Sequence, residues 1–113
     1  MQKTLFYIVA GENERDRAVM GLNVARRSFE FKRFADVKVI LQGPSEKLLI
    51  DEDEEVRKVV KYLITNKLID SACSFMAKKL DIEEPITKIG VELKPSGERL
   101  AAYVNEGYIP ITF

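Results

Sequence analysis

The side chain best suited to covalent chemistry is Cys73, the one cysteine in a chain of 113 residues that contains no histidine. It lies in Leu68-Ile69-Asp70-Ser71-Ala72-Cys73-Ser74-Phe75-Met76-Ala77-Lys78-Lys79-Leu80. Leu68 and Ile69 read as the end of a short buried strand, Ser71 as an N-cap, and residues 75–80 as the helix it opens. That spacing predicts Cys73 in the first helical turn, where unpaired backbone N–H groups and the helix dipole favour a negative charge. A thiol with an ordinary pKa of about 8.5 is only a few per cent thiolate at neutral pH, and each unit of lowering raises that almost tenfold. The competing reading takes a lone cysteine as a small buried hydrophobe. Position decides between them.

The elements that must position this residue follow from the rest of the chain. At 113 residues and 46% apolar content, residues 1–113 are expected to form a single domain with one core, folding without metal or disulfide. Residues 4–10 are a nearly continuous β-prone run, as in a strand covered on both faces. Gly11-Glu12-Asn13 ends it, and Asn13 is placed to cap a helix whose apolar stripe is Ala18, Gly21, Leu22, Ala25 and Phe29. Phe31 and Phe34 fall on the opposite side if that helix runs on. They either pack locally beyond a helix end near Glu30 or mark a subunit interface.

Residues 37–41 are the second strand, closed by Gln42-Gly43-Pro44-Ser45. The apolar Leu48-Leu49-Ile50 in the next connection is expected to tuck into the domain or lie under another subunit. Asp51 and Glu54 resemble a capping pair, and Val56, Val59, Val60, Leu63 and Ile64 mark an amphipathic helix. After the cysteine helix, residues 81–88 read as a connection containing Pro85. The alternating Ile89, Val91 and Leu93 read as a fourth, half-exposed strand. Leu100, Ala101 and Val104 line the last helix, Gly107 ends it, and residues 108–113 close the chain as an edge strand, because Pro110 cannot donate to a ladder.

The resulting order, β-α-β-α-β-α-β-α-β, predicts an α/β fold: a single flavodoxin-like domain with a five-stranded, mainly parallel sheet and helices on both faces. In such folds sites lie beyond the carboxyl ends of the strands. The turns there are 11–13, 42–45, 71–74 and 94–97, so the expected rim around Cys73 holds Gly11, Asn13, Gly43, Ser71 and Ser74.

With these elements in place the chain resembles the DsrE/DsrF-like family of sulfur-relay proteins, which includes the Tus subunits. The opening strand leads into Gly11 and a helix rich in alanine and arginine, with Arg17-Ala18 and Ala25-Arg26. An Ala72-Cys73 pair follows the third strand. The ending Gly90-Val91-Glu92-Leu93-Lys94-Pro95-Ser96-Gly97, a helix, and Glu106-Gly107-Tyr108 is similar to the family's C-terminal third. The resemblance implies a homotrimer or homohexamer, with a cysteine that carries persulfide sulfur in the sulfur-carrying members. Cys73 stands at the matching place. Asp70 departs from the pattern, in which an apolar residue is more usual, and a carboxylate near the thiol would oppose thiolate formation.

A relay of this kind fits the composition. A thiolate takes the outer sulfur of a donor persulfide and passes it to an acceptor thiol, with no general base required if its pKa is already low. With no second cysteine, the donor and acceptor are partner proteins or small thiols. A Cys–His enzyme is excluded, because the base is missing. The acidic Gly11-Glu12-Asn13-Glu14-Arg15 turn disfavours a phosphate-bearing cofactor, and one cysteine with scattered carboxylates offers no metal ligand set. Lysine plus arginine equals aspartate plus glutamate at 18 each, so no overall field draws the chain to nucleic acid. The basic Arg26-Arg27 and Lys32-Arg33 read as a solvated face. No segment reads as a membrane span or leader, and a single cysteine suits a reducing, cytoplasmic location. The alternative is a non-enzymatic oligomeric module of the same fold, in which Cys73 only packs.

Overall fold

A computed structural model describes residues 1–113. Five parallel strands, β1 (Lys3–Ile8), β2 (Asp36–Leu41), β3 (Ile69–Cys73), β4 (Leu93–Lys94) and β5 (Tyr108–Thr112), form one sheet in the order β4-β3-β2-β1-β5. The helices between them are α1 (Arg15–Glu30), α2 (Glu54–Thr65), α3 (Ser74–Lys79), α4 (Glu83–Lys88) and α5 (Ser96–Asn105). Every pairing is parallel, and β1 meets β2 and β5 with Leu5 opposite Lys38 and Pro110. This is the expected α/β architecture, and Pro110 lies on an edge strand. No helix is long and apolar enough to cross a membrane.

The strand order explains how the faces are covered. From β1 to β4 the chain steps one way across the sheet, so right-handed crossovers place α1 to α4 on one face. From β4 it returns past β1 to β5, and that single crossover puts α5 on the other face. Alternation along the strands then divides the core. Phe6, Ile8, Val37, Val39, Leu41 and Ala72 join Ala18, Leu22, Ala25, Val56, Val59 and Leu63 in a cluster of 20 buried residues. The second face holds a buried cluster of only four: Leu5, Ile40, Tyr103 and Tyr108. The sheet is thickly covered on one side and thinly on the other.

Several local expectations are corrected. Asn13 does not cap α1: residues Glu12–Glu14 form a 3-10 turn closed by Glu14 N–H on the Gly11 carbonyl, and α1 starts at Arg15. The α1 stripe buries Ala18, Gly21, Leu22 and Ala25 but leaves Phe29 exposed. The helix stops at Glu30, so Phe34 turns back and meets the Phe6 ring edge-on at 6.3 Å, whereas Phe31 stays 58% exposed. Leu48 and Leu49 are buried within the domain, in a 3-10 segment spanning Gly43–Ile50. Asp53, not Asp51, caps α2 by accepting from Val56 N–H; Asp51 instead takes two hydrogen bonds from Arg15, at 2.7 and 3.0 Å.

The predicted connection at 81–88 contains α4, because Pro85 falls in its first turn, where the missing N–H is harmless. The fourth strand shrinks to Leu93–Lys94. Ile89 terminates α4, and Gly90 follows with a φ of +95°, a left-handed exit suited to glycine. On α5 the buried side chains are Ser96 and Tyr103, with Leu100 half-buried, while Ala101 and Val104 face solvent. Reaching the sheet through Tyr103 rather than Val104 rotates the helix from its apolar-stripe expectation.

Candidate active site

Cys73 is the last residue of β3 and the N-cap of α3. The expected geometry is corrected by two residues: the strand runs through Ser71, which lies inside β3 and donates its hydroxyl to Asp70 at 2.8 Å instead of capping a helix. The side chain of Cys73 is therefore delivered by a strand end and lies at the mouth of α3, not within its first turn. It is 4% exposed. Cys73 stands outside both hydrophobic clusters, however.

The topology accounts for this environment. Adjacent strands whose outgoing chains turn to opposite faces open a crevice between them, the usual ligand site of a parallel sheet. Here β3 leads into α3 on the thick side and β4 leads into α5 on the thin side. Cys73 ends β3, and Ser96 is the first residue of α5. Burial alone would raise the Cys73 pKa. The Ser96 hydroxyl and the backbone N–H groups of Met76, Ser96 and Phe75 outweigh it and hold the thiol below its ordinary value.

Ser96 connects the sulfur to two further strands. Its Oγ donates to Gln42 Oε1 at 3.1 Å and accepts from the Tyr7 hydroxyl at 3.5 Å. Tyr7 lies near the end of β1 and Gln42 directly follows β2. Each of the first four strands thus contributes one polar or reactive side chain to the same end of the sheet.

The expected rim residues divide. Ser74 begins α3 beside the cysteine. Gly43, with a φ of +73°, turns the chain out of β2 and faces Met76 of α3. Gly11 packs directly on Pro44, where an added Cβ would lie 2.5 Å from the proline carbonyl oxygen. Asn13 is exposed on the 3-10 turn, and Ser71 is buried in its strand.

Asp70 does not oppose the thiolate as expected. Its carboxylate accepts from Arg99 Nε and Nη2 at 3.1 and 3.0 Å, from the Tyr103 hydroxyl at 2.7 Å and from Ser71, with Lys94 Nζ 3.9 Å away. Burial works against its charge, yet these partners prevail and hold its pKa down at about 2. The charge is balanced on the spot, and the cluster ties α5 to β3. Elsewhere, the wholly buried Glu46 accepts from Gly43 N–H at 2.7 Å and leaves Oε1 without a partner. Desolvation lifts its pKa to about 7. Nowhere do three potential metal-ligating side chains converge.

No known family profile matches the sequence, and no curated protein matches it. The fold does have solved counterparts. The conserved protein of unknown function BT1422 from Bacteroides thetaiotaomicron has a TM-score of 0.77 at 21% identity, covering 96% of this chain and 94% of its own. The YchN protein from E. coli also has a TM-score of 0.77, at 14% identity, with full coverage of both chains. Both belong to the DsrE/DsrF-like fold family. The chain has the DsrE/DsrF-like fold. Identities this low speak for architecture, so a chemical role for Cys73 must be argued from its own surroundings within that fold.

Gln42, Ser96 and Tyr7 were passed over in reading the sequence. Gln42 and Ser96 lie just beyond the carboxyl ends of predicted strands, whereas Tyr7 falls in the middle of the predicted 4–10 run and near the end of the observed β1. The strand ends point to Gln42 and Ser96 but not to Tyr7, because the apolar run continues to Ala10 while β1 stops at Ile8. The convergence of Gln42 and Tyr7 on Ser96 depends on which strands are neighbours, and the DsrE/DsrF-like strand order supplies that.

Proposed function

We propose that this protein is a sulfur-relay protein that carries persulfide sulfur on Cys73. The observation that carries the reading is the placement of the thiol at the last residue of β3, opposite Lys94 of β4 on the crevice between them, and the Ser96 hydroxyl and nearby backbone N–H groups favour its ionised form. A thiolate there attacks the outer sulfur of a donor persulfide, R–S–SH. The donor S–S bond breaks, RS⁻ leaves, and Cys73–S–SH forms. An acceptor thiolate then takes the outer sulfur and returns Cys73 as thiolate. No base is consumed, which suits a chain without histidine. Donor and acceptor are partner proteins or small thiols, and the implied assembly is a homotrimer or homohexamer in the cytoplasm. Exposed apolar side chains such as Phe31 at 58% and Phe75 at 73% offer contact surface for partners or for copies of the chain.

The 4% exposure of Cys73 favours a second reading, an oligomeric module in which the cysteine only packs. Intact mass after incubation with a persulfide donor separates the two. The relay requires a gain of about 32 Da, one sulfur, that is absent in Cys73→Ser and is lost on adding an acceptor thiol. A folded protein that gains no sulfur is the packed module. Light scattering tests the assembly, and a clean monomer removes it from the proposal.

A further inference from the structure

The crossover from β3 to β4 differs from the two before it. α1 and α2 are single helices of 16 and 12 residues that pack on one another, whereas β3 returns to β4 through α3 and α4, of six residues each. The second flank of α2 is left without a full-length helix along it. A groove of about 920 Å³ opens there, between α2, α4 and the end of the Gly43–Ile50 segment. Ile50, Ile64 and Ile89 give it an apolar floor, and Ile89 is 38% exposed. Arg57, Lys58 and Lys61 of α2 and Lys88 of α4 line it, all exposed and none in an ion pair. Glu54 stands three and four positions before Arg57 and Lys58, the spacing at which ion pairs close along a helix, yet no pair forms. At the start of α2 the sign reverses. Glu52 and Glu54 line that end unpaired, while Asp51 is already held by Arg15.

We propose that this groove docks an acidic amphipathic helix of a partner protein, lying antiparallel to α2. Its apolar stripe covers the isoleucine floor, and its carboxylates meet the four unanswered cations. The 12 residues of α2 span ~18 Å, so the occupant is a helix of about three turns. Carboxylates are favoured at a helix N-terminus and cations at its C-terminus, so the end that meets Glu52 and Glu54 is the basic C-terminal one. Nucleic acid would find no aromatic side chain in the groove to stack on. The nearest match within the chain, the outer side of α5, offers Val104 as its one large exposed apolar group, with Glu98 and Glu106. That is too little for this floor and four cations. The docking is independent of the chemistry of Cys73.

The probe is a lactam-bridged, fluorescein-labelled peptide of about twelve residues, with leucines at i, i+3, i+4 and i+7, flanking glutamates and one C-terminal lysine. Fluorescence anisotropy should give a Kd on the order of 10 µM that weakens as salt rises. Lys58→Glu with Lys61→Glu should weaken binding about tenfold, and Ile89→Asp by a similar factor. These side chains are exposed, so the variants keep the fold, which circular dichroism checks. Arg27→Glu with Lys32→Glu, exposed cations outside the groove, should leave the Kd unchanged. A scrambled peptide of the same composition should bind about tenfold more weakly.

No binding at about 1 mM peptide overturns the proposal. So do groove variants that bind like the parent, an equal loss in the Arg27→Glu, Lys32→Glu protein, or a scrambled peptide that binds equally well. If the groove variants change the particle mass in light scattering, the face belongs to contacts between copies and the partner helix is ruled out. If an oligouridylate displaces the peptide at equal concentration, the surface is one for nucleic acid and the proposal fails.

Discussion

Two buried carboxylates at the residue scale behave oppositely, because one has cationic partners and the other has a single backbone N–H. Asp70 is held near a pKa of 2, below its ordinary 3.8, by Arg99, Tyr103 and Ser71 acting against its burial. Its contribution, about 2 kcal/mol, is present above pH 3.8 and fades as pH falls toward 2. Arg99→Leu should destabilise the fold by about 3 kcal/mol at pH 7, because a buried carboxylate loses its counter-charge, and by much less near pH 3. Urea unfolding at both values tests this, and an equal loss at each would assign the effect to packing. Glu46 runs the other way: its pKa is raised from 4.5 to about 7 by desolvation, with only the Gly43 N–H opposing. The folded state holds a proton that the unfolded chain releases, so stability should fall by roughly 3 kcal/mol between pH 4.5 and 7 and then level off. Glu46→Gln should flatten that slope and be more stable than the parent at pH 8 by about 2 kcal/mol. Coincident pH profiles for the two proteins would show that Glu46 does not titrate in this range. The sequence disclosed neither behaviour. Asp70 was visible as a charge, but Arg99 lies 29 positions away and only the fold brings them together.

Elements whose signal is periodic were legible, and those set by one residue's backbone geometry were less so. The stripe Val56, Val59, Val60 and Leu63 gave α2, and a continuous apolar run gave β1. By contrast α4 hid behind Pro85, whose place in a first turn looks like a helix break when read without the turn itself. The alternation at Ile89, Val91 and Leu93 imitated a strand, but only Leu93 and Lys94 pair with β3. The cysteine's place on the rim beyond the third strand was legible, but the spacing put it in the first helical turn and not at the strand end, since Ser71 serves Asp70 instead of a helix. At this scale the turns after β1 and β2 are locked together. An alanine Cβ at Gly11 would sit 2.5 Å from both Cβ and O of Pro44, and backbone cannot rotate away as a side-chain tip can. Gly11→Ala should cost about 2 kcal/mol, because the Pro44 backbone must move to admit the methyl group. Parent stability in urea would mean that these turns have slack.

Across the whole molecule the strand order matters most. An order of β4-β3-β2-β1-β5 leaves one helix to cover a face that four cover on the other side. Twenty buried residues stabilise the thick layer, and four, with the Asp70 ion pair, stabilise the thin one. Free energies of opening scale with buried apolar contact, so the α5 layer is the part that opens without global unfolding. The same helix begins two residues after Lys94, the partner of Cys73 in the sheet, so opening the start of α5 is expected to uncover a thiol that is otherwise 4% exposed. Native-state hydrogen exchange should find α5 amides opening at least about 2 kcal/mol below those of α1 and α2, whose protection tracks the global value. Alkylation of Cys73 at fixed pH should accelerate in mild urea with the same shallow dependence as the α5 amides, well before the main transition. If α5 amides exchange only through global unfolding, the two faces are equally secure. If the thiol then reacts quickly all the same, its access lies on the α3 side of the crevice.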